Sequence, residues 1–318
     1  MKLVFALLFS LTLYAEDLAL LYQSKGINAV INALDIELTK KPYWDHKLKD
    51  LDTRYGYLEG RDSLITCNKD DSSLHYFKRN VQGKFQKEDS FKVLTGKMNG
   101  DKQEEGDKKT PIGIYKLTKK LNNLDPFYGP LAFVTSYPNL YDKIRGKNGS
   151  GIWIHGVPDD KSREKYTKGC IALENNDIKC LEEKLDFQNS WLIIDNNVNL
   201  QTSKETLSLL LSDLFSWRYA WLKSNIKDYL SYYDDSFIRF DGMRYPKFTQ
   251  YKKRIFKKRE KKDIYFTNVN VIPYPGDNKK LYMISFHEKY HTFSYQFEGE
   301  KSLIVHIKSN KMKILAER

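Results

Sequence analysis

Cysteine is scarce in this 318-residue chain. Only Cys67, Cys170 and Cys180 occur, and no two form a C-x-x-C pair. That excludes a disulfide-framework protein and a cysteine-based structural zinc cluster. Long hydrophobic runs are also missing: no segment beyond the N-terminus approaches the roughly 20 apolar residues that span a bilayer. GKMNGDK lacks the spacing of a phosphate loop, which excludes nucleotide binding of that type. There is no internal repeat and no low-complexity tract. With 41% hydrophobic and 14% aromatic residues the chain can bury real cores, so general disorder is excluded too. Its length suits two domains.

The formal net charge of +12 is unevenly spread. Residues 201–318 hold 23 Lys/Arg against 13 Asp/Glu, whereas residues 1–200 hold 30 against 28. Two units with different partners are therefore expected. The run KKRIFKKREKK, residues 252–262, is read as a solvated face or a surface attracted to an anionic polymer. The first fifteen residues, MKLVFALLFSLTLYA, have the basic start, short apolar run and small final residue of a secretory signal. Export to the periplasm follows, with no transmembrane anchor, and it makes nucleic acid an improbable partner. An odd number of cysteines in an oxidising compartment leaves at least one thiol needing an explanation.

Residues 16–59 carry one apolar stripe, Ile27, Val30, Ile31, Leu34 and Leu38, at helical spacing. Lys40-Lys41-Pro42 is expected to end that helix. The segment is too short for its own core, so the stripe must pack on the next domain or on another copy. Residues 60–200 read as short strands: Leu64–Cys67, Leu74–Phe77, Phe91–Thr95, Gly113–Leu117, Leu131–Thr135, Gly151–His155 and Trp191–Ile194. One clear helix is expected at 176–186. From residue 201 to 318 a capping box at Thr202–Glu205 opens a helix through Leu222, and strands are expected beyond Asp234, giving an α+β domain. The whole is a multidomain protein, with a mainly β domain, an α+β domain and a short helical N-terminal segment.

GIWIHG and KGCIAL hold the residues suited to chemistry. A cysteine nucleophile needs an adjacent base, and backbone N–H groups aimed at the developing oxyanion. Cys170 follows Gly169, and His155 closes an apolar strand fifteen residues before the cysteine, so the two meet only if the intervening loop folds back. By themselves they are weak evidence, and a buried structural cysteine and a core histidine fit them better.

Around this pair the chain resembles the YkuD family of L,D-transpeptidase-type enzymes, which act on peptidoglycan stem peptides. TGKMNGDKQEEGDKKTPIGIY, SYPNLYDK, GIWIHG and TKGCIAL match its blocks in order. The resemblance implies Cys170 as nucleophile, His155 as general base, and the Gly156 carbonyl as the group orienting the imidazole. It implies an oxyanion hole from the N–H groups of Gly169 and Cys170. Tyr137, Asp142, Lys168 and Ala172 become candidate substrate-binding positions. Asp107 and Asp142 are either turn-formers or cleft-liners. Lys168 and Ala172 stand where many members have His and Arg, and Ala172 with the Tyr-Pro-Asn stretch points to a hydrolytic branch.

Residues 217–237 and the last strands resemble the nuclear-transport-factor-2-like fold. The combination looks like the L,D-carboxypeptidases that set cell shape in helical bacteria, which trim tetrapeptide stems to tripeptides and dimerise through the N-terminal segment. The stripe at 27–38 fits that role. No cofactor and no metal are called for: HEKYH, residues 287–291, matches a zinc-protease pattern by letter, but its surroundings read as a strand. Alternatives are an L,D-transpeptidase, a hydrolase that detaches wall-linked protein, and a non-catalytic wall-binding scaffold.

Overall fold

The computed structural model describes residues 16–159, 164–276 and 280–318. The expected signal sequence lies outside them. Residues 16–25 are helical (α1), and Gly26, at φ 77°, breaks the helix before α2 (Ile27–Leu38). Pro42 does not so much end α2 as open α3 (Lys41–Leu48), sitting in its first turn, where a missing N–H costs nothing.

The first large sheet has eight strands, in the order β4-β3-β2-β9-β5-β6-β7-β8. They are β2 (Ser63–Asn68), β3 (Ser73–Arg79), β4 (Phe85–Lys92), β5 (Gly113–Asn122), β6 (Leu131–Thr135), β7 (Trp153–His155), β8 (Ile171–Ala172) and β9 (Trp191–Asp195). Most of the expected strands are present. Phe91–Thr95 is displaced: the strand runs earlier, and Leu94 and Gly96 make only isolated bridges to Ala172 and Thr167. The expected helix is α5 (Asn175–Lys184), which buries Ile178 and Leu181 on the sheet. A short helix that the sequence reading missed, α4 (Leu140–Ile144), starts from a capping box between Asn139 and Asp142.

The second sheet has six strands, β1-β11-β12-β13-β14-β10. These are β1 (Tyr57–Leu58), β10 (Tyr233–Arg239), β11 (Asp263–Pro273), β12 (Leu281–His291), β13 (Gln296–Lys308) and β14 (Lys311–Glu317). Helix α6 (Lys204–Leu222) lies against it, with Ser203 rather than Thr202 as the cap, its hydroxyl accepting from Thr206 N at 3.1 Å. The stretch 217–237 is not one helix but the end of α6, then α7 (Ile226–Ser231), then β10. Nor is the chain beyond Asp234 all strand. α8 (Tyr245–Phe256) buries Phe248 and Phe256 and takes up the start of the basic run. Lys252 in that run is buried, its ammonium 5.0–5.2 Å from the rings of Trp221, Tyr229 and Phe248, so this face is not uniformly solvated.

The N-terminal segment is tied to the C-terminal domain. Strand β1 caps the edge of the second sheet by pairing with β11. α3 buries Trp44 and Leu48, the indole stacked 5.3 Å from Phe215 of α6. α2 is held more lightly, by the Asp35–Arg218 ion pair and by Tyr219 donating to Asn32 at 3.2 Å. Ile27, Ile31 and Leu34 of its stripe remain exposed. A third apolar cluster joins the two domains, bringing Leu64, Ile114, Leu140 and Tyr141 against Ile272, Tyr274, Met283 and Ile304.

HEKYH lies in β12, where residues four apart are about 13 Å from each other along the strand. Two imidazoles so placed do not share a zinc ion.

Candidate active site

Parallel pairing of β7 with β8 sets Ile154 opposite Ile171 and His155 opposite Ala172. Cys170 stands one residue before β8, on the same side of the ladder as Ala172, and so lies diagonal to His155. The imidazole is fully buried. Its Nδ1 donates to the Gly156 carbonyl at 2.6 Å, which leaves the lone pair on Nε2. The ring is further fixed by Tyr128, edge-on with centroids 5.1 Å apart, and Tyr128 in turn packs on Trp153. Space behind the histidine is tight. A Cβ on Gly156 would come within 2.5 Å of Asn175 Oδ1, the same atom that accepts from Val157 N at 2.9 Å.

Cys170 is half-buried, its Sγ 3.4 Å from the Gly151 carbonyl oxygen. The turn that presents it requires glycine twice over at Gly169. The backbone is at φ 135°, and a Cβ would stand 2.8 Å from the Lys109 carbonyl oxygen. Two buried threonines hold this turn. Thr110 Oγ1 donates to the Gly169 carbonyl at 3.0 Å and accepts from Gly96 N at 2.8 Å. Thr167 Oγ1 donates to the Cys170 carbonyl at 2.7 Å and accepts from Gly169 N at 2.9 Å. The Gly169 N–H is therefore already engaged, and an oxyanion role for it requires that bond to open.

Of the other expected residues, Lys168 is exposed on the same turn, and Ala172 is buried beneath it in the sheet. Tyr137 and Asp142 do not join the exposed surface beside Cys170. Asp142 is fully buried, paired with the equally buried Lys147 at 2.9 Å and accepting from Tyr115 Oη at 3.0 Å. Tyr137 donates to the Asn148 carbonyl at 3.0 Å. Lys147 also reaches Asp101, which accepts from Ile112 N at 2.9 Å. With its oxygens committed to Lys147, Tyr115 Oη and Asn139 N, Asp142 has no part free for a substrate, so this cluster braces the residue 95–112 loop from behind.

Asp107 likewise serves its turn, accepting from the N–H groups of Gln103, Glu104 and Lys109 and from Lys102 Nζ. Burial pushes its carboxyl up, but these donors outweigh it and hold the pKa at about 2. By contrast burial pushes the Cys67 thiol up to about 12, which keeps it inert.

Thr110, Thr167, Tyr128 and Asn175 went unassigned in the sequence reading. Thr110 and Thr167 carried a signal, their places inside the matched Thr-Pro-x-Gly-x-Tyr and TKGCIAL blocks. No group of three or more His, Cys, Asp or Glu among the described residues could hold a metal ion.

Comparison with known proteins identifies both domains. Residues 62–190 match the L,D-transpeptidase catalytic domain, YkuD, and residues 209–318 match the Cds6 C-terminal NTF2-like domain. The crystal structure of the helical cell shape determining protein Pgp2 from Campylobacter jejuni superposes with a TM-score of 0.81 at 42% identity. That match covers 88% of this chain and 99% of Pgp2. Bd1075 of Bdellovibrio bacteriovorus matches at 27% identity with a TM-score of 0.65, over 84% of this chain and 97% of that one. The putative L,D-transpeptidase YafK of Escherichia coli is 27% identical over 192 residues, 59% of this chain and 70% of YafK. The chain belongs to the YkuD L,D-transpeptidase family, in the two-domain form with a C-terminal NTF2-like domain. No helix among the described residues is long and apolar enough to cross a membrane.

Proposed function

We propose, from this family membership and the site's geometry, that the protein is a periplasmic cysteine L,D-carboxypeptidase that shortens peptidoglycan tetrapeptide stems to tripeptides. The observation that carries the reading is the His155 tautomer fixed by Gly156, on a strand paired to the one Cys170 precedes. His155 Nε2 takes the thiol proton as Sγ attacks the carbonyl of the L,D bond before the terminal D-alanine. The C–N bond breaks, D-alanine leaves with that proton, and a thioester remains. Water, deprotonated by the same imidazole, then attacks the thioester and frees the thiol. The backbone of the Gly169–Cys170 turn faces the oxyanion once the Thr167 contact opens at Gly169.

Water rather than an amine is favoured as acceptor because Ala172 stands where many transpeptidases carry a substrate-holding arginine. Likeness to Pgp2 supports a role in cell shape. The exposed Ile27, Ile31 and Leu34 support a homodimer through the N-terminal segment.

Mass spectrometry of monomeric tetrapeptide muropeptide after incubation tests the reading, with Cys170→Ala and His155→Ala beside the native enzyme. Loss of one alanine residue, reduced at least about 1000-fold in either variant, is expected. Cross-linked dimers would make the enzyme a transpeptidase. An unchanged substrate would sink stem trimming.

A further inference from the structure

We propose that Tyr274, a residue of the C-terminal domain, is a positioning residue for the Gly169–Cys170 turn of the catalytic domain. The proposal rests on the reading of Cys170 as the nucleophile. Tyr274 directly follows β11 and is almost fully buried in the other domain. Its hydroxyl oxygen accepts from Asn139 Nδ2 at 2.8 Å, and its ring meets that of Tyr141 at 4.8 Å. Asn139 Nδ2 also donates to the Ile114 carbonyl at 3.0 Å. The approach is close: a Cβ on Gly113 would stand 2.9 Å from the Tyr274 hydroxyl. Two residues on, Gly276 N donates to Asp195 Oδ2 at 3.1 Å, and a Cβ there would lie 2.5 Å from Ile112 Cγ2.

The C-terminal domain thus presses on residues 112–114 from one side. From the other, Asp101 binds Ile112 N, and Tyr115 Oη, whose proton goes to Asp142, stands 3.3 Å from the Ile112 carbonyl oxygen. Ile112 has no slack relative to Thr110, because Pro111 between them has a fixed φ. Thr110 is pinned by Lys69 Nζ on its carbonyl at 2.9 Å and grips the Gly169 carbonyl through its hydroxyl. Tyr274, Ile112, Gly113, Thr110 and Gly169 are buried, with Asn139, Asp101 and Lys69 half-buried around them, and packed interiors transmit small displacements rather than absorb them. Removing the Tyr274 hydroxyl takes one of two acceptors from Asn139 Nδ2 and frees the 112–114 segment to shift, and Thr110 and the cysteine turn with it. Contiguity alone does not prove coupling, so the test must measure it.

The full-length enzyme is made as Tyr274→Phe, Thr110→Val, the double variant and Thr110→Ser. Alkylation of Cys170 by iodoacetamide is followed across pH by peptide mass, with Cys67 and Cys180 read separately, beside kcat and KM for D-alanine release. Tyr274→Phe is expected to change the Cys170 alkylation rate and to lower kcat by about threefold to tenfold, with KM within about twofold. The double variant should be no worse than Thr110→Val alone, and Thr110→Ser should stay near the native enzyme. A native Cys170 alkylation profile in Tyr274→Phe would overturn the proposal, as would effects that multiply in the double variant. So would general loosening, seen as fast alkylation of buried Cys67. If the native enzyme releases no D-alanine, the functional reading fails, while the alkylation arm still decides this one.

Discussion

Each domain buries a cluster of charges, and the two clusters are built differently. In the catalytic domain Asp101, Lys147 and Asp142 meet inside a shell of committed donors: Ile112 N, Asn139 N, Tyr115 Oη and Arg145. In the C-terminal domain Glu317 is similarly served, by Tyr233 Oη at 2.6 Å and Lys301 at 3.2 Å. Its neighbour Glu288 is 1% exposed, yet neither carboxylate oxygen accepts a hydrogen bond, and Lys301 stands 3.8 Å away. Burial accordingly pushes the Glu288 carboxyl up, with Glu317 adding to the effect against Lys301 and Lys252. For Glu317 burial acts in the same direction but is outweighed by Lys301, Lys252 and Tyr233, leaving its pKa at about 2. A satisfied buried pair is a brace, and an unsatisfied one is a standing cost.

The largest effect should come from breaking the brace. Asp142→Asn leaves Lys147 buried without one of its two carboxylates, which costs about 3–5 kcal/mol. The thermal midpoint should fall by roughly 10 °C on scanning calorimetry. A fall under about 3 °C would deny that this cluster supports the 95–112 loop.

Glu317→Gln should cost less at neutral pH, about 2–3 kcal/mol, since the Tyr233 contact survives. The pH dependence adds a sign that can be checked. The folded pKa lies below the unfolded one, so this contribution is present above about pH 4.5 and lost as pH falls through about 2. Urea unfolding should therefore show a constant gap between variant and native protein from pH 7 to about pH 4.5, and a shrinking one from there down to pH 2. A gap that stays constant all the way to pH 2 would mean that Glu317 is not held ionised by Lys301 and Lys252.

Glu288→Gln should be the smallest of the three, within about 1 kcal/mol of native or slightly stabilising, because a neutral amide removes a buried charge that Lys301 at 3.8 Å offsets only in part. A loss as large as that of Glu317→Gln in the same urea series would erase the distinction between the two acids.

Much of the catalytic turn was legible in the sequence because its parts are local. A strand ending in His-Gly and a Gly before Cys were readable locally, whereas β8 and its ladder with β7, which bring the two together, were not among the expected strands, and only the family resemblance paired the residues. What was illegible depends on contacts between distant residues. Thr110 holds Gly169 from 59 positions away and Tyr274 holds Asn139 from 135, and nothing in either neighbourhood announces the partner. Tyr137 and Asp142 carried the right motif but lie on the inner side of the loop. α8 was hidden by its own charges: the basic letters suggested a surface, while Phe248, Lys252 and Phe256 at helical spacing face the core. Even the apolar stripe of α2 misled in part, since α3 and not α2 buries the large side chains on α6.

The most direct test of the central claim is the intact mass of the enzyme quenched with acid during turnover of tetrapeptide muropeptide. The account predicts an adduct on Cys170 equal to the muropeptide without its terminal D-alanine, absent from Cys170→Ala. Undiminished D-alanine release by Cys170→Ala, with no adduct on the native enzyme, would contradict it.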